Sequence, residues 1–385
     1  MISKNNFHHY VMLIVLVFSG VKPVSQAVGV SFFDFFSIGA LIYLGWVVSN
    51  RGLLVKKEIL SSIFIVSIYP VFLFFIYNDG VRFLYAIRFF EYFLWFFIGL
   101  LVHDISRLIL SLIIMLFFSL VFGSMLGADF GYFNYVWELS AFASFCSVFV
   151  LVTMRKTPIR MFFYLSFLSL IFLSAGQRTP IIATFLTLLY LVFSKDLFSK
   201  KIKYGVVFSI LIGSVFLIFT ENRFSNTLSD VFSSENFNSI DVIYNESKKF
   251  DTYGEFVYGD RGLVGDSGDL SFQLRIKKWS YAIKDMLDSP LSLIFGLGAG
   301  YFGGAADSSI ARIFFEFGLI GLIAWVVFFI NMMRVSFLIK ILTVCFLLNA
   351  VFIDIVYSSR LMVIYLLVVG SVYFNSGGVV SRNEV

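Results

Sequence analysis

Charge is what this chain has least of. Asp, Glu, Lys and Arg make up 14% of its 385 residues, against 59% hydrophobic residues and a mean hydropathy of +0.92. That leaves too little polar surface to cover a water-soluble globule of this length, so the sequence is that of an integral membrane protein. Cysteine is nearly absent. Cys146 and Cys345 stand in separate apolar runs, which suggests neither a disulfide framework nor a thiolate metal site. Histidine is equally scarce: His8, His9 and His103 sit at the ends of apolar runs on one side of the membrane, an arrangement that disfavours a histidine metal centre. No cofactor is expected. The first apolar run has no small-residue cleavage site behind it and reads as a retained helix rather than a removed signal peptide.

What the chain has is apolar runs of bilayer-crossing length, roughly 17 to 25 residues. Twelve are expected, near 8–22, 31–49, 59–77, 81–102, 106–126, 137–154, 159–175, 179–194, 203–220, 309–333, 335–353 and 357–375. The fold class is therefore an all-α polytopic membrane protein, a single domain over 1–385. Its connecting loops are sided. Fifteen cations and four acids fall on one side, a net of +11, and the positive-inside bias makes that side, with both termini, cytoplasmic. A pI of about 9.0 thus reflects topology and not a basic face for nucleic acid.

Residues 221–308, between the ninth and tenth runs, form the one long hydrophilic segment and fall on the outer side. They hold thirteen acids and eight bases. From Glu221 to about Asp269 the segment is rich in Ser, Asn, Asp and Gly and reads as irregular loop. From Ser271 to Leu287, Phe272, Ile276, Trp279, Ile283, Met286 and Leu287 recur at helical spacing, predicting an amphipathic helix on the outer membrane surface. Pro290 follows, then Leu291–Leu297, too short to cross and so a candidate re-entrant or interfacial segment.

Four arginines, Arg82, Arg178, Arg312 and Arg360, open apolar helices on the outer side. Both the positive-inside bias and the partial positive charge of a helix N-terminus oppose that placement, so an anion is expected to offset it. Around Arg178, Gly176 ends one helix while Thr179 and Pro180 start the next, aiming free N–H groups and a guanidinium at one spot. Such a build can hold a phosphate or simply reach lipid headgroups. Each arginine has a plainer rival: Arg312 can pair with Glu316 four residues on, Arg360 with Asp354, and Arg82 with Asp79. Arg88 and Glu91 read as a structural ion pair. Gly298 and Gly300 serve either a phosphate or a tight turn, and Gly318 and Gly321 read as close-packing positions.

Arg275, Trp279, Pro290, Gly296-Leu-Gly-Ala-Gly300, Asp307-Ser-Ser309 and Phe315-Glu-Phe-Gly-Leu-Ile-Gly-Leu322 together resemble the second half of bacterial O-antigen polymerases of the Wzy type. The Gly-Gln-Arg-Thr turn at Arg178 is similar to an element those polymerases and the related O-antigen ligases keep between two central spans. The motifs cover roughly residues 170–325.

The resemblance implies a glycosyltransferase at the periplasmic face of the bacterial inner membrane, acting on undecaprenyl-pyrophosphate-linked oligosaccharide. One chain would leave its carrier and join a hydroxyl of a lipid-linked repeat unit with inversion. Arginines stabilising the departing pyrophosphate would replace a metal ion. On this reading Arg178 and Arg275 hold the pyrophosphate with Arg312 and Arg360, Trp279 lines the substrate site, and the acceptor's base is sought among Asp307, Glu316, Asp266 and Asp269, in that order. Membrane lipid and a chain-length-regulating co-polymerase are the expected partners. The ligases carry a histidine shortly before the corresponding tenth span, whereas this chain has Asp307 there and no histidine, which favours polymerase over ligase. A transporter or flippase of lipid-linked saccharides also suits twelve spans with buried charges, but the chain's two halves do not correspond.

Overall fold

The computed structural model describes residues 38–39, 41–44, 53–77, 80–125, 136–154, 157–175, 178–194, 234–259, 270–303, 306–376 and 380–381. Nine of the twelve expected spans appear as helices with ends within three residues of expectation: α1 (Lys57–Tyr77), α2 (Gly80–Gly99), α3 (Ile105–Met125), α4 (Val136–Thr153), α5 (Pro158–Ala175), α6 (Arg178–Ser194), α11 (Ser309–Met333), α12 (Phe337–Ala350) and α13 (Ser359–Asn375). The runs at 8–22 and 203–220 lie outside the described residues, as does most of 31–49. A two-residue antiparallel pair, Leu53–Leu54 with Val380–Ser381, is the strand structure among the described residues.

Helices α1, α4 and α11 are each long and apolar enough to cross a membrane. Their outward side chains agree with a hydrocarbon surround: Phe64, Phe72 and Phe75 of α1 and Ile323 and Val326 of α11 are exposed, Phe75 to 72%. Exposed aromatic and aliphatic faces of this extent would be an aggregation hazard in water. The chain is an α-helical membrane protein.

Helix α13 runs through the middle. Every residue from Leu361 to Tyr373 is buried, as a helix apolar on all sides requires. It packs closest on α2, where Gly99 and Gly370 meet: a Cβ on Gly99 would strike the Leu367 carbonyl, and one on Gly370 the Phe96 carbonyl. Two glycines thus set the spacing of the two backbones.

Helices α7 (Ser234–Ser247), α8 (Tyr253–Tyr258), α9 (Leu270–Asp288) and α10 (Pro290–Phe295) come between α6 and α11. The expected amphipathic helix is α9, within one residue at each end. The irregular loop expected for 221–269 is corrected over part of its length by α7 and α8. Their signal was thin: among the described side chains Ile243, Phe256 and Val257 are the buried apolar residues, packed with Ile276 and Tyr281 of α9. Thr252 caps α8, its side chain accepting from the Glu255 amide, a device that fixes a helix too short to stand alone.

Helix α11 is broken inside. Gly318 has φ 64° and ψ −165°, so the carbonyls just before it lose their helical donors. The loop after α10 supplies replacements: the Leu297 amide donates to Phe315 O (2.8 Å) and the Gly298 amide to Glu316 O (2.9 Å). Gly296 and Gly318 touch backbone to backbone, and a Cβ on either would overlap the backbone of the other's segment. Gly318 is therefore a break point that admits another backbone, whereas Gly321, against Phe317 and Tyr69, is the close-packing position expected.

Candidate functional site

The arginine-led helices begin at one end of the bundle, the end that carries α7–α10. Tyr85, in the second turn of α2, donates to Gly303 O (2.8 Å), and Ser309 of α11 donates to Ile353 O (2.9 Å) beyond α12. Ser358, capping α13, donates to Glu138 in the first turn of α4 (2.6 Å). Thr184 of α6 donates to Ser144 of α4 (2.7 Å), so those two helices start level with each other.

At that end Arg312 lies buried among its partners. Its Nε donates to Glu316 Oε1 (2.9 Å) and its Nη1 to Asp354 Oδ2 (3.1 Å), while its guanidinium carbon stands 3.9 Å from the centre of the Tyr357 ring. Burial makes this pairing obligatory, since an unpaired guanidinium there would be very costly. The turn that brings Asp354 into place is stitched by Ser309, whose Oγ also accepts from the Val356 amide (3.0 Å). Asp354 Oδ2 accepts from the Ala306 amide as well. Burial pushes the Asp354 carboxyl above the usual carboxylate range, against the pull of Arg312 and that amide.

Glu316 is wholly buried. Besides Arg312 it accepts from the amides of Gly300 (3.0 Å) and Phe302 (3.5 Å). The glycine loop thus gathers its N–H groups on an internal carboxylate, and the tight-turn reading of Gly298 and Gly300 is the one realised. So enclosed, Glu316 is built to hold the loop rather than to meet an acceptor hydroxyl.

Asp307 differs. Its φ of 64° is the left-handed region a non-glycine residue occupies at a cost, and its side chain remains 30% exposed beside Lys278, 3.0 Å away. The next residue of α9, Trp279, donates its indole N–H to Ala306 O (3.1 Å), so two adjacent residues dock α9 onto the turn that opens α11. Arg275, one turn earlier on α9, is partly exposed, and its Nε is buried without a hydrogen-bond partner.

The structure therefore joins Trp279, Asp307, Arg312 and Glu316 in one connected set. Arg360 sits in a neighbouring one, 3.9 Å from Glu138. Its expected rival partner, Asp354, is taken by Arg312 instead. Arg88 lies over the Tyr85 ring rather than in the ion pair expected with Glu91. The side chains of Arg178 and Arg82, and Asp79, Asp266 and Asp269 altogether, lie outside the described residues. Sequence reasoning missed Glu138 and the partnership of Lys278. A lone acid at the head of an otherwise uncharged apolar run was the available signal for Glu138, because such a charge is paired or functional. Among the described residues no group of three His, Cys, Asp or Glu is placed to hold a metal ion.

Comparison with known proteins finds no family model and no curated protein that matches the chain.

Proposed function

We propose that this protein is a polysaccharide polymerase of the O-antigen type: an inverting, metal-independent glycosyltransferase that joins undecaprenyl-pyrophosphate-linked repeat units at the periplasmic face of the inner membrane. In this reading the chain crosses twelve times with both termini in the cytoplasm, and residues 221–308 form the periplasmic loop inserted between the ninth and tenth spans, which carries Arg275, Trp279 and Asp307. The observation that carries it is Arg275, whose buried Nε has no hydrogen-bond partner, on the same helix whose Lys278 and Trp279 dock at the partly exposed Asp307.

Asp307 is the acceptor base in this scheme. Lys278 lies 3.0 Å from it, and its exposure lets a sugar hydroxyl approach; a base must lie within hydrogen-bond reach of the proton it takes. The departing diphosphate falls to Arg275, whose buried Nε has a donor to spare, together with Arg178. Arg312 already has two carboxylates, so its part is to fix the turn that carries Asp307. Donors held in place before the reaction stabilise the charge that develops on the leaving diphosphate, without reorganising as it forms.

The test is purified protein supplied with one defined lipid-linked repeat unit. A product ladder is expected from the wild type, and a loss of at least about 100-fold in rate from Asp307→Asn or Arg275→Ala. Normal ladders from both variants at normal abundance would remove those residues from the mechanism. No ladder from folded wild type would refute the polymerase reading.

A further inference from the structure

We infer that α10 and the glycine loop after it form a re-entrant wedge inside the bilayer, with Leu291, Leu293 and Ile294 in contact with lipid acyl chains. This placement holds whatever reaction the protein performs.

Depth points to it first. Tyr77 closes α1 and Tyr69 lies two turns further in, about 12 Å along the helix at 1.5 Å per residue. The Phe295 carbonyl accepts from Tyr69 (3.4 Å) and the Gly296 carbonyl from Tyr77. On α11 the same loop meets Phe315, Glu316 and Gly318, some 9 to 14 Å inward from Ser309 by the same rise. The bottom of the excursion is therefore well below the helix ends, against two helices that are each long and apolar enough to cross a membrane.

Hydrogen bonding points the same way. Irregular backbone survives at membrane depth only if its polar groups are satisfied by protein, and here the turning point is. The Gly296 amide donates to Ser292 O, the Leu297 and Gly298 amides to the carbonyls freed in α11, and the Gly300 amide to Glu316. The two carbonyls at the bottom accept from tyrosine hydroxyls. A loop in water would need none of this.

The surface left over agrees. Leu291 is 65% exposed, Leu293 49% and Ile294 43%, and they continue the exposed face that Phe72, Phe75 and Ile76 of α1 and Leu319, Ile320 and Ile323 of α11 already present. A patch continuous with lipid-facing helices has the bilayer as its occupant.

The test uses full-length protein with Cys146 and Cys345 replaced by alanine, in vesicles of phosphatidylethanolamine and phosphatidylglycerol. A nitroxide is attached in turn at Leu293→Cys, at Ile323→Cys on α11 and at Tyr258→Cys on α8. Collision with dissolved oxygen and with a water-soluble nickel chelate is then measured. We expect position 293 to match 323, with oxygen favoured over nickel several-fold more than at 258. A ratio at 293 equal to that at 258 places the wedge in water and overturns the inference. Exclusion of both reagents at 293 means that protein covers it, which overturns the inference equally. Leu291→Cys serves as a second site should Leu293→Cys fail to fold.

Discussion

Replacing Glu316 with alanine should separate the glycine loop from the bundle. The side chain is wholly buried and satisfies three donors at once: Arg312 Nε at 2.9 Å and the amides of Gly300 at 3.0 Å and Phe302 at 3.5 Å. Removing one partner of a buried ion pair costs about 3–5 kcal/mol, and a stranded buried amide about 1–3 kcal/mol. These losses share one site and do not simply add, so a loss of about 4–6 kcal/mol is expected for Glu316→Ala. Glu316→Gln is the informative contrast. It keeps an acceptor for the Gly300 amide and leaves Arg312 paired with Asp354 in a neutral set, where the native triad carries a formal excess of one negative charge. Its cost should be less than half that of alanine. Thermal unfolding in detergent reads the total, and amide hydrogen exchange over residues 296–303 reads the loop itself. Glu316→Ala should bring the Gly300 and Phe302 amides to rapid exchange while Glu316→Gln leaves most of their protection. If both variants melt within a degree of wild type and keep the loop protected, Glu316 does not clamp it, and α11 and its loop do not behave as one unit.

Gly318→Ala places a Cβ against backbone atoms of Ile294 and Gly296 at a φ of 64°, so a loss of roughly 3 kcal/mol or more is expected. Gly303→Ala, at φ 63° with open space around it, should lose only the left-handed penalty of about 1–2 kcal/mol, and equal melting shifts would refute the overlap. Ser358→Ala takes from buried Glu138 its donor at 2.6 Å and should cost about 1–3 kcal/mol, which Ser358→Thr should largely restore in the same melting assay. Asp285 accepts from the Tyr301 hydroxyl at 2.6 Å, and burial raises its carboxyl above the usual 3.8. The folded state then holds that proton more tightly than the unfolded one. The group's contribution is most favourable below pH 3.8 and declines as pH rises through the folded value. Stability measured against pH should therefore show Asp285→Asn gaining on wild type across that window, and a difference that does not change with pH would sink the idea.

The apolar helices were legible because apolar length is a coarse property that survives any detail of packing. The same coarseness hid the break in α11. Residues 309–333 read as one span, charged only at Arg312 and Glu316 near its start, and nothing in its hydropathy distinguishes a glycine that admits a neighbouring backbone from one that packs a helix face. The hint lay in another stretch, the glycines at 296, 298 and 300, and their meaning appears only when the two segments meet. Partner choice was less legible still. Asp354 is six residues from Arg360 and 42 from Arg312, and sequence proximity favoured the wrong arginine. Helix geometry does fix short-range pairs, so Arg312 with Glu316, four apart, was readable. Lys278 with Asp307, 29 apart, was not.

Those partner assignments change what the arginines ask of a ligand. A cation at a helix N-terminus and on the disfavoured side of the membrane needs a compensating anion, and from sequence that need was common to all four helix-opening arginines. For Arg312 it is met inside the protein, twice over, by Glu316 and Asp354; for Arg360 it is met by Glu138. Neither requires an external diphosphate to be stable where it sits. What these two residues do instead is tie α4, α11 and the turn before α13 into a fixed frame, on which the strained Asp307 and the α9 side chains are mounted. Demand for an outside anion then falls on cations that no carboxylate already holds. Arg275 answers that description among the described side chains near the site, with a buried nitrogen that still has a hydrogen to give. Arg275→Lys keeps the charge but loses the planar fork that grips two phosphate oxygens. If a diphosphate is the ligand, that variant should behave nearly as badly as Arg275→Ala in the ladder assay, whereas a lysine that restores full activity would mean that only the charge matters there.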